Sequence, residues 1–177
     1  MSARTIEWIE TQRLICERLR RAHELELVTL LRDPRVASTT WPRPEGPTVS
    51  ELSVNLAAKL EHWDRHGFGM WLLRDRATDA IVGRGGLQRT HATGDDEIEV
   101  GWTIVPTRWG EGLATEMALL AVDVAFDDLN LQSIIAFALP DNVASRRVME
   151  KAGFVYERDI MYVELPHVLY RRTRDRG

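Results

Sequence analysis

The stretch Trp-Gly-Glu-Gly-Leu-Ala, residues 109–114, lies between a strand-like segment that ends at Pro106 and a run with helical spacing. Its two glycines permit a tight turn, and the helix that follows begins with backbone N–H groups that have no partner inside the helix. Those N–H groups and the positive end of the helix dipole together favour an anion. The stretch therefore predicts a loop that binds a phosphate-bearing cofactor.

The segments around this loop have clear periodicity. Residues 97–105 alternate between apolar and polar side chains, which predicts a strand with one buried face. Apolar residues recur at helical spacing over 113–126, and the apolar run 131–139 is typical of a strand that is buried on both faces. Asn142 is a good N-cap for a helix over 143–152, which Gly153 ends.

The remaining segments complete an α/β order. The four prolines and one glycine of residues 34–48 predict a long loop, and Ser50 is the expected N-cap of the helix after it. Because strands and helices alternate and the sequence has no internal repeat, linker or low-complexity segment, we predict one α/β domain over 1–177. The other predicted elements are strands at 12–19, 70–74, 80–87, 155–163 and 165–172, and helices at 22–31 and 50–66.

Composition limits the class of protein. The chain has 177 residues, of which 44% are hydrophobic, enough for one sizeable core, and its net charge of -4 does not favour nucleic acid. The single cysteine, Cys16, excludes an intrachain disulfide and fits a reducing compartment. Because no apolar run is long enough to span a bilayer, we expect a cytoplasmic protein without membrane contact, either a monomer or a homodimer.

The loop by itself does not identify the ligand that it binds. A Walker loop needs Lys and Ser or Thr at the helix start, and a dinucleotide loop needs a third glycine; this stretch has neither. A plain connection between a strand and a helix stays possible. The five scattered histidines and Cys16 show no metal-ligand spacing, so no metal is expected.

The spacing of several motifs carries a more specific resemblance. Val-Gly-Trp at 100–102, Pro106, the 109–114 loop, Asn142 with Ser145, and Glu-Lys-Ala-Gly-Phe at 150–154 together resemble the GNAT superfamily of acyl-CoA-dependent N-acetyltransferases. The chain is most similar to the branch that acetylates ribosomal-protein N-termini, in which tryptophan commonly opens the loop. The resemblance is strong over about 80–158 and weaker over 10–75.

This resemblance implies a single α/β domain and a cofactor site. Its mixed central sheet would have about six to seven strands with a splayed central pair, flanked by about four helices. Acetyl-CoA would enter the gap, with its pantetheine arm paired to the backbone of Thr103, Ile104 and Val105. Asn142 would contact the cofactor as well as capping its helix. The pyrophosphate would lie on the loop residues Trp109, Gly110, Glu111, Gly112, Leu113 and Ala114.

The resemblance also implies an acetyl transfer to an amine, which needs a neutral amine and a proton for the leaving thiolate. Glu99 stands where the branch carries its base, although it could equally be a solvated carboxylate at a sheet edge. Glu97 lies about 7 Å along the same strand face, where a like charge would raise the pKa of Glu99. Many members have a tyrosine as general acid where this chain has Met149. The resemblance therefore makes Ser145 the candidate that protonates or hydrogen-bonds the leaving sulfur. Ser145 could equally be only a polar residue in the first turn of its helix.

The sequence does not identify the acceptor. We expect a primary amine, either a protein N-terminus or a small molecule. A catalytically vestigial CoA-binding or regulatory module is an alternative, because Met149 cannot donate a proton. Another acyl donor such as succinyl-CoA is a third possibility, since Arg84 and Arg89 could bind its carboxylate.

Overall fold

The computed structural model describes residues 5–41, 43 and 45–174. Five α-helices and eight strands are described, and none of these helices is long and apolar enough to cross a bilayer. The strands are Trp8–Glu10 (β1), Leu14–Arg18 (β2), Met70–Asp75 (β3), Ile81–Thr90 (β4), Glu97–Ile104 (β5), Ser133–Ala138 (β6), Val155–Tyr162 (β7) and Leu165–Thr173 (β8). The helices are Glu24–Leu31 (α1), Pro34–Thr40 (α2), Val49–His66 (α3), Leu113–Asp123 (α4) and Val143–Lys151 (α5).

The strands form one mixed sheet in the order β1-β2-β3-β4-β5-β6-β8-β7, which confirms the predicted fold class. Every neighbouring pair is antiparallel except β5 and β6, which are parallel. β5 is paired with β4 along its whole length but meets β6 at one register position, Glu99 opposite Ile135. The two central strands therefore part beyond Glu99, and the predicted splayed pair is present.

Helices cover both faces of the sheet. Ile98, Val100 and Ile104 of β5 lie in the main core with Leu113 and Met117 of α4, because alternate strand residues point to the same face. On the opposite face, α1 and α3 bury Leu27 and Leu56 against Met70 and Leu72 of β3. The sheet is thus covered by α4 on one face and by α1 and α3 on the other.

The prediction of a loop over 34–48 is wrong for its first part, which forms α2. The Asp33 carboxylate accepts a hydrogen bond from the Arg35 backbone N–H at 2.9 Å, and Pro34 occupies the first turn. Proline is tolerated there because the N–H that it lacks would have no helical partner. Two further prolines of the predicted loop, Pro42 and Pro44, lie outside the described residues.

The start of α3 also differs from the prediction. Thr48, rather than Ser50, is the N-cap: its hydroxyl accepts from the Glu51 N–H at 3.2 Å, and the Glu51 carboxylate accepts from the Thr48 N–H at 2.8 Å. This reciprocal pair is a capping box, which satisfies two N–H groups where a serine cap would satisfy one. The helix ends at Gly67, as predicted, in the left-handed conformation.

Two short elements differ from the predicted set. β1 has three residues and pairs with β2 at three positions, so it is too short to show an alternating pattern in the sequence. The helix predicted over 113–126 is α4 as far as Asp123, and a π-helical turn, Val124–Asp128, continues it. Neither change affects the gap between β5 and β6.

Candidate active site

The loop after β5 is a tight turn that needs glycine at two positions. A short 3-10 turn, Pro106–Arg108, leads into it, and α4 begins directly behind it. Gly110 and Gly112 have φ angles of +80° and +82°. A side chain with a Cβ strains this left-handed conformation, so the two glycines allow the chain to turn into the helix within a few residues.

The loop presents backbone donors at the helix N-terminus. The first N–H of α4 to make a helical bond is that of Glu116, which donates to the Gly112 carbonyl at 3.0 Å. Within the part of the chain that the structure describes, the N–H groups of residues 110–112 donate to no other group, and those of 113–115 precede the first helical bond. Such a row of donors, at the positive end of a helix dipole, is suited to a phosphate group.

Arg108 fixes the loop to the sheet. Its guanidinium bonds to Asp75 at the end of β3 at 2.9 Å and to the Glu111 carboxylate at 2.7 Å. The hydrogen bond from Arg108 is the main reason that the pKa of Asp75 is lowered. Because Arg108 pairs with Glu111, the loop's own carboxylate opposes an incoming anion less than a free one would.

The turn between β1 and β2 holds the loop from the other side. The Glu116 carboxylate accepts from the Thr11 hydroxyl at 2.6 Å and from the Arg13 Nε at 2.7 Å. Arg13 also donates from Nη1 to the Glu111 carbonyl at 2.7 Å. Partial burial alone would raise the pKa of Glu116, but these hydrogen bonds outweigh it, and the pKa is lowered. The donors of the loop are therefore held in place before any ligand binds.

A cleft of about 500 Å³ opens between β5, this loop and α5. One wall is α2, the helix that replaces the predicted loop, through Val36, Thr39 and Thr40. The sequence-predicted residues that line the cleft are Thr103, Ile104, Trp109, Gly110, Glu111, Gly112, Leu113, Ala114, Asn142 and Ser145. Val105 and Glu99 do not line it: Val105 packs against the core beside it, and Glu99 lies where β5 meets β6, at the apex of the gap.

Alternate residues of β5 present their backbone N–H and C=O groups to the gap. The Val105 N–H donates to the Val82 carbonyl at 2.8 Å, so the residues that bond to β4 alternate with Ile104 and Trp102. The backbone groups of those two residues face the gap, where the Ile104 carbonyl accepts from the Trp109 indole N–H at 2.8 Å. The open edge thus belongs to Trp102 and Ile104 rather than to Thr103 and Val105.

Two cations that the motifs did not single out also line the cleft. Arg147 and Lys151 are one turn apart on α5, and both are exposed. Residues at this spacing lie on one face of a helix, so both side chains reach the cleft. The sequence signal that could have identified them is their spacing of four residues, which begins two positions after Ser145. The cleft therefore carries positive charge opposite the loop.

Asn142 is the N-cap of α5, as predicted. The Asn142 side-chain oxygen accepts from the Ser145 backbone N–H at 3.1 Å, so Asn142 both caps the helix and lines the cleft. Ser145 lies in the first turn with its side chain half-buried at the cleft wall. Met149, one turn further on, is 1% exposed and packs in the main core. It is absent from the cleft wall.

Glu99 lies at the point where the central strands part. Its Oε2 accepts from Gln88 Nε2 at 3.0 Å, and Gln88 in turn accepts from the Lys59 ammonium of α3. Burial raises the pKa of Glu99, although the Gln88 hydrogen bond and the charges of Lys59 and Arg84 lower it in part. Glu99 is thus a carboxylate with more proton affinity than a surface glutamate, at the apex of the gap.

The expectation that Glu97 raises the pKa of Glu99 is wrong. Arg171 of β8 binds the Glu97 carboxylate through two hydrogen bonds, at 2.7 and 2.9 Å. That ion pair compensates the charge of Glu97, and burial is the main cause of the raised pKa of Glu99. Glu97 is a structural carboxylate that ties β5 to β8 across β6.

A sheet that parts between two parallel strands, with a donor loop and a helix start at the mouth of the gap, defines the N-acetyltransferase class of folds. The sequence profile of the Acetyltransferase (GNAT) domain family matches residues 13–155. The chain therefore belongs to the GNAT acetyltransferase family.

Three similar proteins illustrate the range of relatives. The uncharacterized N-acetyltransferase YnaD of Bacillus subtilis is 38% identical over 110 residues, which is 62% of either chain. An acetyltransferase structure from Agrobacterium tumefaciens has a TM-score of 0.81 at 23% identity and covers 96% of this chain and 95% of that one. A ribosomal L7/L12 α-N-protein acetyltransferase, solved with coenzyme A, has a TM-score of 0.74 at 16% identity, with 94% and 98% covered.

The match to curated relatives is partial. The chain spans between 51% and 62% of the length of four of them. At these identities the solved structures show the fold.

Proposed function

We propose that the protein is an acetyl-CoA-dependent N-acetyltransferase that moves an acetyl group to a primary amine by direct attack. The observation that carries this proposal is the coincidence of three features at one gap: the donor loop, the open edge of β5 and a carboxylate of raised pKa at the apex. The proposed catalytic domain extends over 1–177, with its cofactor-binding core at about 80–158.

The cleft residues suit acetyl-CoA as co-substrate. The loop N–H groups from Gly110 to Ala114 would bind the pyrophosphate, since they are preformed and have no bond to give up. Arg147 and Lys151 would bind further phosphate charge on the opposite wall. The backbone groups of Trp102 and Ile104 would pair with the amides of the pantetheine arm, in the manner of an added strand.

Acetyl-CoA supplies an acyl group that is activated as a thioester. Glu99 accepts the proton that the attacking amine loses, while the new N–C bond forms and the C–S bond breaks. An α-amino group has a pKa of about 7.7–8.0, so part of it is protonated at neutral pH and a base is needed. The Glu99 Oε1 atom is available for this purpose, because Gln88 holds Oε2.

Ser145 is the proposed donor to the leaving sulfur. Its backbone N–H is already held by Asn142, and its side chain lies in the cleft wall where the pantetheine arm would end. Met149 cannot take this role, because it is buried in the core and has no proton to donate. The proton that the thiolate acquires would come from the Ser145 hydroxyl or from solvent through it.

The test is thiol release from acetyl-CoA with a panel of peptide N-termini, polyamines, aminoglycosides and amino acids. Wild type should release thiol with at least one amine, and Glu99→Gln should reduce kcat by about 10²-fold or more. Ser145→Ala should reduce kcat by less, because water can replace a hydroxyl. If acetyl-CoA binds but no amine on the panel accelerates thiol release, the protein is a CoA-binding module instead.

A further inference from the structure

A polar groove lies on the face of the sheet opposite α4. Alternation places Arg84, Gln88 and Glu99 on this face with Thr103, because the pairs Arg84–Thr103 and Gln88–Glu99 are in register. Asn55 and Lys59 of α3 contact the same side chains. We call the set Asn55, Lys59, Arg84, Gln88 and Glu99 the acceptor-side groove. All five residues are half-buried, and Asn55, Lys59 and Arg84 also line a small cavity of about 10 Å³.

Two glycines form the middle of the groove. Gly86 of β4 stands opposite Gly101 of β5, between the Arg84–Thr103 and Gln88–Glu99 pairs. A methyl group on Gly101 would meet nothing nearer than Glu99 Oε1, at 3.7 Å. Glu99 Oε1 and Met70 Cε, at 3.7 and 3.9 Å, thus border the position that a Gly101 side chain would take, and Thr103 at the other end lines the cofactor cleft. The groove connects the proposed base with the site of the acyl donor.

The positive charges of Arg84 and Lys59 in this groove are only weakly compensated by their hydrogen-bond partners. Arg84 Nη1 donates to the Asn55 side-chain oxygen at 3.5 Å, and the buried Nε has no partner among the described residues. Arg74, Arg108 and Arg171, in contrast, each pair with a carboxylate. Burial lowers the pKa of Arg84 to about 10 and that of Lys59 to about 8, so both remain charged at neutral pH. Among the described residues, the charge of Glu99 compensates Arg84 and Lys59 in part, but no carboxylate lies within ion-pair distance of Arg84, so its guanidinium can accept a further anion.

An acceptor amine without a negative charge fits this groove poorly. Its ammonium form would approach two cations and one carboxylate, so the repulsion would exceed the attraction. A carboxylate on the same molecule reverses this balance, because it can accept from the guanidinium of Arg84, whose one hydrogen bond among the described residues is long, while the amine faces Glu99. The cations then also favour the neutral amine that the reaction needs.

We infer that the acceptor is an amine that carries a carboxylate, which Arg84 and Lys59 bind while Glu99 receives the amine. The inference rests on the proposed function for the transfer step, and it narrows the acceptor to amino acids or to peptide N-termini that begin with an acidic residue. In the step, the acceptor nitrogen bonds to the acetyl carbon, the amine proton passes to Glu99, and the thiolate leaves and is protonated.

The experiment compares matched acceptors that differ in one charge. Glycine, aspartate and glutamate are assayed against glycinamide, aspartic diamide and glutamic diamide by thiol release, together with two peptide amides that begin with Asp and Asn. A hydrogen-bonded carboxylate is expected to raise kcat/KM by about 10–100-fold over its amide. Selectivity confined to the free amino acids identifies them as the source of the carboxylate, and selectivity confined to the Asp peptide identifies an acidic N-terminus.

Two variants assign the selectivity to Arg84. Arg84→Gln should reduce the acid-to-amide ratio to near one, while Arg89→Gln should leave it unchanged. Arg89 is the matched control because it lies on the same strand but pairs with Asp96 at the surface, at 3.2 Å. The acid-to-amide ratio of kcat/KM is measured on the wild-type protein, so the inference stays testable even if Arg84→Gln does not fold. A wild type that uses amides as well as acids overturns the inference and leaves the proposed function standing.

A binding measurement separates the inference from the chemistry. N-acetylglycine and N-acetylglycinamide are titrated into the protein in the presence of coenzyme A, without turnover. Preference for the acid, lost in Arg84→Gln, supports the carboxylate site even if no amine is acetylated. Equal affinity for the two compounds contradicts it.

Discussion

Replacing Gly110 with alanine tests whether the loop backbone approaches the phosphates. Gly110 has a φ of +80°, which alanine adopts at a cost of about 1–2 kcal/mol. A Cβ on Gly110 meets nothing within 4 Å, so no clash adds to that strain in the free protein. We therefore expect Gly110→Ala to lower the free energy of unfolding by about 1–2 kcal/mol. For a chain of this size that is a fall in Tm of about 2–8 °C.

The effect on the cofactor should be larger than the effect on stability. The new methyl group stands on the loop where the backbone donors would meet the pyrophosphate, so it should keep the ligand from its donors. We expect the Kd for acetyl-CoA, measured by calorimetry, to rise by about tenfold or more, with a parallel rise in KM.

Gly67→Ala is the matched control for this change. Gly67 has a φ of +72°, its Cβ would also meet nothing within 4 Å, and it ends α3 away from the cleft. It should lose about the same stability and keep the wild-type Kd. If the two variants bind acetyl-CoA equally well, the loop is a plain connection between β5 and α4 and does not hold the pyrophosphate.

Three further predictions concern charges. The wild-type rate should fall as pH falls through the pKa of Glu99, which burial raises above 4.5, and Glu99→Gln should have no such limb in its pH–rate profile. Lys59→Met should stabilise the protein at pH 7 by up to about 3 kcal/mol in thermal unfolding, because the lysine pKa falls from 10.5 to about 8 on folding. Wild-type stability should then rise between pH 8 and 10.5, where the unfolded chain binds more protons, and the variant should show no such rise. Charge reversal of Arg147 and Lys151 should raise the KM for acetyl-CoA and weaken its salt dependence, and an unchanged KM would remove them from the phosphate site.

The parts of the site that are local in sequence were predictable. The glycines at 110 and 112 and the alternation of residues 97–105 fix the turn and the strand from their immediate neighbours. The same holds for Asn142, whose side chain bonds to an N–H three residues away. Short-range geometry of this kind depends on few residues, so the motif alone carries it.

The acceptor-side groove was not predictable, because tertiary contacts assemble it. Lys59 meets Gln88 across 29 residues, and Glu97 meets Arg171 across 74. The sequence shows the charge of each residue but not its partner, which is why Glu97 was expected to act on Glu99. Local competition explains the other errors: Pro34 reads as a helix breaker but fits a first turn, and Thr48 outcompetes Ser50 because Glu51 completes its capping box.

The proposed function requires that the acetyl group pass from acetyl-CoA directly to an amine in this cleft. A single-turnover reaction with acetyl-CoA that carries ¹³C in the acetyl group tests it, with mass spectrometry of the protein and the acceptor before and after amine is added. We expect an unlabelled protein throughout and all of the label on the acceptor nitrogen, in step with thiol release. Label that accumulates on the protein without an acceptor, on Ser145 or Cys16 for example, would contradict direct attack.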